Sequence, residues 1–145
     1  MPLHQLSIFL ENRPGQLRVP CEVLGRAGID ILTASVADTA QFGILRLVVR
    51  DWKRAAEVLQ AAGEVVNVAE VVPVEVDDRP GGLAAALAAI EQAGLGIEYL
   101  YVFAARPRTG KAAVVFRFED PARAAAALAG RGLRVLGEDE LVGSL

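Results

Sequence analysis

Side chains able to do covalent or acid-base chemistry are scarce in this 145-residue chain, which holds one histidine, His4, and one cysteine, Cys21. A single thiol excludes an internal disulfide, and one histidine with one cysteine cannot build a Cys/His metal centre. The expectation is a protein with no catalytic residues, no metal and no cofactor. Chemical interest lies instead in two short segments of one design, "LENRPGQL" at residues 10–17 and "VDDRPGGL" at residues 76–83. What such a segment offers is noncovalent. The first N–H groups of a helix have no helical partner and lie at the positive end of its dipole, so they can hold a carboxylate for roughly 0.3–1 kcal/mol, or ~2 kcal/mol when partly buried. Gly15 and Gly81 would let a ligand approach the backbone. The Asn12 amide both donates and accepts, which suits a zwitterionic head, whereas the ionised Asp78 in its place only accepts and prefers an ammonium. A turn followed by a helix start would account for Arg-Pro-Gly equally well.

The two segments belong to a tandem repeat. An offset of 66 positions carries Arg13, Pro14, Gly15 and Leu17 onto Arg79, Pro80, Gly81 and Leu83, and also Gly28 onto Gly94 and Ile31 onto Ile97. Further on the offset is 69, with Asp51 on Asp120, Arg54 on Arg123, Leu59 on Leu128 and Gly63 on Gly132. The three extra residues fall near "RPRTGK", where a hairpin tip tolerates insertion.

Periodicity places these loops on elements. Leu6, Ile8 and Leu10 alternate with Ser7, Phe9 and Glu11 as in a strand, which the first loop ends. Leu17, Cys21 and Leu24 then predict a helical stripe with Pro14 in its first turn and Gly28 after its end. Leu83, Leu87 and Ile90 repeat the stripe, so Cys21 stands where Leu87 does and reads as a structural thiol. Segments 31–37 and 43–50 around "DTAQF" predict a hairpin, and a second helix starts at Asp51. Its counterpart begins with Asp120 as N-cap and Pro121 at the first helical position. A last strand within 65–71 runs almost directly into the next repeat. The order is β-α-β-β-α-β twice, an α+β chain of two ferredoxin-like repeats, residues 1–71 and 72–145, with antiparallel sheets and helices on one face. Leu45, Leu47 and Val49 on one side of a strand, with Ile44 and Val48 on the other, imply that the helix-free face packs on another sheet.

Totals narrow the function. A net charge of −3 gives no broad electropositive footprint for nucleic acid, the one basic cluster being Arg106, Arg108 and Lys111. Hydrophobic residues make up 53% of the chain, yet its longest apolar run, residues 83–90, is far below the ~20 residues of a membrane span. "MPLHQLSIFL" does not read as a signal peptide. The expectation is a cytoplasmic protein with no nucleic acid or membrane partner, and with enough apolar surface to predict an oligomer, most simply a homodimer. "TGKAA" lacks the first glycine and the Ser/Thr of a phosphate loop, "EDE" at residues 138–140 and the basic tip read as solvated surface, His4 as exposed and Trp52 as a packing residue.

Both repeats resemble the ACT domain, a small regulatory module of amino acid metabolism, over nearly the whole chain. "ENRPGQL" is similar to the strand-to-helix loop of the serine-binding regulatory domain of phosphoglycerate dehydrogenase, and "AQFGILRLVV" to its third strand. The tandem arrangement resembles free-standing double-ACT proteins that act as amino acid sensors. The resemblance implies a non-catalytic allosteric regulator that binds a free amino acid where ACT domains meet. Its ligand-binding residues would be Leu10, Asn12, Arg13, Pro14, Gly15, Gln16 and Leu17 in the first loop, and Asp78, Arg79, Pro80, Gly81, Gly82 and Leu83 in the second. Thr33, Ser35, Tyr99 and Tyr101 on the following strands are further candidates. In the dehydrogenase motif a histidine helps to hold the serine, and Leu10 stands in its place, which argues against serine and toward a larger apolar, aromatic or imidazole side chain. The alternative is a subunit that assembles with a metabolic enzyme without binding ligand itself.

Overall fold

The computed structural model describes residues 2–38, 40–103 and 107–142. In chain order the elements are β1 (Leu3–Glu11), α1 (Arg18–Arg26), β2 (Ile31–Asp38), β3 (Phe42–Val49), α2 (Trp52–Ala61), β4 (Val65–Asp77), α3 (Gly82–Gln92), β5 (Ile97–Val102), β6 (Lys111–Phe118), α4 (Pro121–Ala129) and α5 (Glu138–Val142). Contacts divide the chain into two compact units, His4–Ala69 and Glu70–Leu145 with Met1–Leu3.

In the first unit β3 lies between β1 and β2, antiparallel to both, and β4 borders β1. The register sets Leu6 beside Leu47 and Ile8 beside Leu45, so that the alternating apolar residues of both strands share one face. That face meets Leu24 of α1 and Ala55 and Leu59 of α2 in a single core. The second unit repeats the plan: β6 lies between β4 and β5, and Val72, Val74, Val114 and Phe116 pack against Ala86 and Ile90 of α3 and Ala124 and Leu128 of α4. Its closing strand is short, a Val74–Val135 bridge flanked by Glu75 N–H to Arg134 O and Leu136 N–H to Pro73 O, both 2.9 Å. The fold is α+β, two ferredoxin-like repeats with helices on one face of an antiparallel sheet.

Several local expectations need correcting. Pro14 precedes α1 in a turn, and the proline of the first helical turn is Pro20, which is buried beside Leu24. The buried stripes therefore run through Pro20 and Leu24, and through Gly82, Ala86 and Ile90, while Leu17 and Leu83 are 46% and 39% exposed. His4 is half-buried and not exposed: β1 begins at Leu3, and the imidazole stacks on Trp52 with ring centroids 4.3 Å apart. The last strand of repeat one and the first of repeat two are one continuous strand, β4. "EDE" opens α5.

Candidate functional site

The two Arg-Pro-Gly loops are built alike at their outer ends. Asn12 N–H donates to Gln41 O and Asp78 N–H to Gly110 O, each at 2.9 Å, tying the loop to the neighbouring hairpin. An arginine in each folds back on the acid that ends the strand, Arg13 Nε to Glu11 Oε2 at 3.1 Å and Arg79 Nη2 to Asp77 Oδ2 at 3.2 Å. Gly15 and Gly81 both have positive φ, +88° and +86°, a conformation that an L side chain rarely adopts.

Helix capping separates these loops from the other helix starts. At α2 and α4 the Asp51 and Asp120 side chains accept from the N–H of Arg54 and Arg123 at 3.2 Å. At α1 and α3 the capping residues are Leu17 and Gly81, and neither supplies a side-chain acceptor. A side chain thus fills a first-turn donor at α2 and α4 but not behind the two repeated loops. None of the first-turn residues is acidic in α1 or α3, so an incoming carboxylate meets no like charge from the helix itself.

The remaining candidates are distributed over both faces. Leu10 is 6% exposed and lies in the core under the helices, whereas Thr33 and Ser35 pair with Val48 and Arg46 on the helix-free face. Tyr99 and Tyr101, paired with Arg117 and Val115, also lie on the face away from the helices in the second unit. Within the first unit the structure therefore brings Asn12, Gly15 and Gln16 together in one loop and directs Leu10 away from Thr33 and Ser35. Cys21 packs against the first core and burial pushes its thiol pKa up, as suits a structural residue.

Sequence reasoning missed a charged cluster in the second unit. Glu75, whose side chain is only 4% exposed, accepts from Arg108 Nε at 3.1 Å and Nη2 at 2.6 Å, and from Arg134 Nη1 at 3.4 Å. Arg134 Nη2 reaches Glu140 Oε2 at 2.6 Å, and Lys111 pairs with Asp77. Arg108 and Glu140 are exposed, as expected of solvated surface, and also take part in this ion-pair network, while Arg106 lies outside the described residues. The Arg108 hydrogen bond above all, helped by Arg134 and Lys111, holds the Glu75 carboxyl below its usual range against the opposing effect of burial. Lys111 and then Arg79 do the same for Asp77. A legible signal existed: Glu75 interrupts the apolar β4 pattern at the position where repeat one has Phe9.

Comparison with known proteins fits this architecture. A model of the ACT domain pair matches residues 1–144. The chain belongs to that family. Among solved structures, a protein from Bacteroides thetaiotaomicron is 35% identical with a TM-score of 0.87, covering 97% of this chain and 96% of its own. The regulatory subunits of aspartate kinase from Thermus thermophilus and Thermus flavus, 15% and 17% identical, both align with TM-scores of 0.62 over 90% of this ACT pair and 93% of their own chains. At that identity they show the shared fold. No curated protein matches the sequence. Among the described residues of the ACT pair, no group of His, Cys, Asp or Glu could hold a metal ion, and no helix is long and apolar enough to cross a membrane.

Proposed function

We propose that this ACT domain pair is a non-catalytic regulatory protein that binds a free amino acid at its Arg-Pro-Gly loops, one loop in each of the repeats 1–71 and 72–145. The observation that carries the reading is the capping contrast: Asp side chains close α2 and α4, while α1 and α3 start without a side-chain acceptor behind loops with a positive-φ glycine. An α-carboxylate supplies the missing acceptor, and Asn12 or Asp78 faces the rest of the zwitterion. A ligand that prefers one arrangement of the domains shifts the population toward it, and a partner reads the change. That partner is a metabolic enzyme, in keeping with solved relatives that are regulatory subunits of aspartate kinase.

The test is a thermal shift screen of the whole chain against the standard amino acids. A ligand that binds only the folded state at 100 times its Kd adds about 2.7 kcal/mol and raises Tm visibly. Asn12→Ala should then weaken binding roughly tenfold, the loss of one hydrogen bond to a charged group. No rise with any amino acid, or unchanged affinity in the folded variants Asn12→Ala and Asp78→Ala alike, overturns the assignment.

A further inference from the structure

The second unit contains a cavity of about 300 Å³, at the small end of the range for ligand sites. Its walls include Glu75, Asp77, Gly82, Arg108, Lys111 and Arg134. Three cations face two carboxylates. Those carboxylates are already engaged, Glu75 by both guanidiniums and Asp77 by Lys111 and Arg79. The cations are the more open partners: Arg108 and Arg134 are 57% and 48% exposed against 4% for Glu75. A guanidinium has five donors, and Arg108 places only Nε and Nη2 on Glu75. The cavity walls thus hold one cation more than carboxylates, with Arg134 also reaching Glu140 outside them, and Arg108 keeps spare donors. Gly82, with no side chain, leaves its floor bare where a Cβ would come within 1.8 Å of the Asp77 carbonyl oxygen.

The repeat itself supplies an internal control. The offsets that superimpose the sequences place Phe9, Phe42 and Val65 at the positions of Glu75, Lys111 and Arg134. Strand register agrees, since Phe42 pairs with Glu11 just as Lys111 pairs with Asp77. All three replacements are large exposed apolar residues, 42%, 60% and 62%. The same positions are apolar in one repeat and charged in the other.

We infer that the cavity of the second repeat receives the side-chain carboxylate of an acidic amino acid, with Lys111, Arg108 and Arg134 as its cationic partners. This rests on the amino acid-binding reading and adds to it the class of ligand for one of the two loops. The experiment is isothermal titration of the full chain with L-aspartate and L-glutamate, and with L-leucine and L-phenylalanine for contrast. Two variants leave Glu75 paired: Lys111→Gln should weaken acidic ligands roughly fivefold, and Asp77→Asn, which removes a competing carboxylate, should tighten them two- to fivefold, roughly the range of a partly exposed charge pair. A role in stability alone would move Tm in these variants without opposite changes in affinity. Binding of neutral amino acids with none of the acidic ones overturns the inference and leaves the regulatory reading standing. Acidic ligands that bind equally well to wild type and both variants overturn it too, whereas failure of every amino acid to bind removes both.

Discussion

The first and second Arg-Pro-Gly loops descend from one pattern, yet they close on their strands differently, and one residue explains why. Gly82 opens α3 so close to β4 that an added Cβ would lie 1.8 Å from the Asp77 oxygen. The matching residue of repeat one is Gln16, which has a Cβ and cannot occupy that place; α1 accordingly starts only at Arg18, after a turn through 14–17. Repeat one thus has a longer, looser approach to its helix, bordered by exposed Phe9 and Phe42, and repeat two a tight one bordered by ions. Duplication preserved the glycine that turns the chain and the arginine that pins the loop. It did not preserve the wall beside them, and on the proposed reading that wall decides which side chain is welcome.

The largest effect should come from breaking this difference directly. Gly82→Ala forces the start of α3 away from β4, an overpacking against backbone that cannot yield by a rotamer change, and should cost about 3 kcal/mol in urea unfolding. Gln16→Ala, at the matched position, should change stability by less than about 0.5 kcal/mol, because Gln16 lies in a turn outside the first core. Equal costs at the two sites would mean that the loops are closed in the same way.

The next effect concerns charge. Glu75→Gln leaves Arg108 and Arg134 without their shared carboxylate and should destabilise by about 1–2 kcal/mol at neutral pH, less than a fully buried pair because both guanidiniums are half-exposed. The sign with pH follows from the lowered pKa. The contribution of Glu75 is complete above the ordinary glutamate range, near pH 4.3, and is lost as pH falls through its lower folded value. Wild type and variant should therefore converge in stability as pH falls below the ordinary glutamate range, while Asp77, lowered in the same direction, gives both proteins a common acid slope. A gap that stays constant into acid would show that the pair carries no linked proton.

The contrast also marks what a sequence can disclose. The repeat, both Asp-capped helices and the sheet faces were legible, because period-2 and period-3.6 patterns, Asp51, and Asp120 followed by Pro121 are local signals. Pro14 misled because Arg-Pro-Gly suits a turn and a first helical turn alike; the outcome hung on Gln16, whose clash with the strand is tertiary. Leu10 was placed at the ligand by a resemblance, although the alternation of Leu6, Ile8 and Leu10 already put it on the core side. The Glu75 network joins residues 33 and 59 positions apart in the chain, and neither its geometry nor the cavity beside it has a local signature.

The smallest effects should be the same in both repeats, and that equality is what makes the larger differences interpretable. Asp51 and Asp120 cap α2 and α4 with nearly identical backbone, φ −119° and −120°, and identical 3.2 Å bonds. Asp51→Ala and Asp120→Ala should each cost about 1 kcal/mol by urea unfolding. Pro121 fixes the first helical φ in advance and so reduces the ordering that the Asp120 cap must offset, which makes that loss the smaller by a few tenths. Neither variant should alter the Tm shift that an amino acid produces, since each of these helix starts already holds a side-chain acceptor on its first turn. A ligand shift that collapses in Asp51→Ala would place the ligand at a capped helix, and the difference between capped and open starts would then have nothing to do with binding.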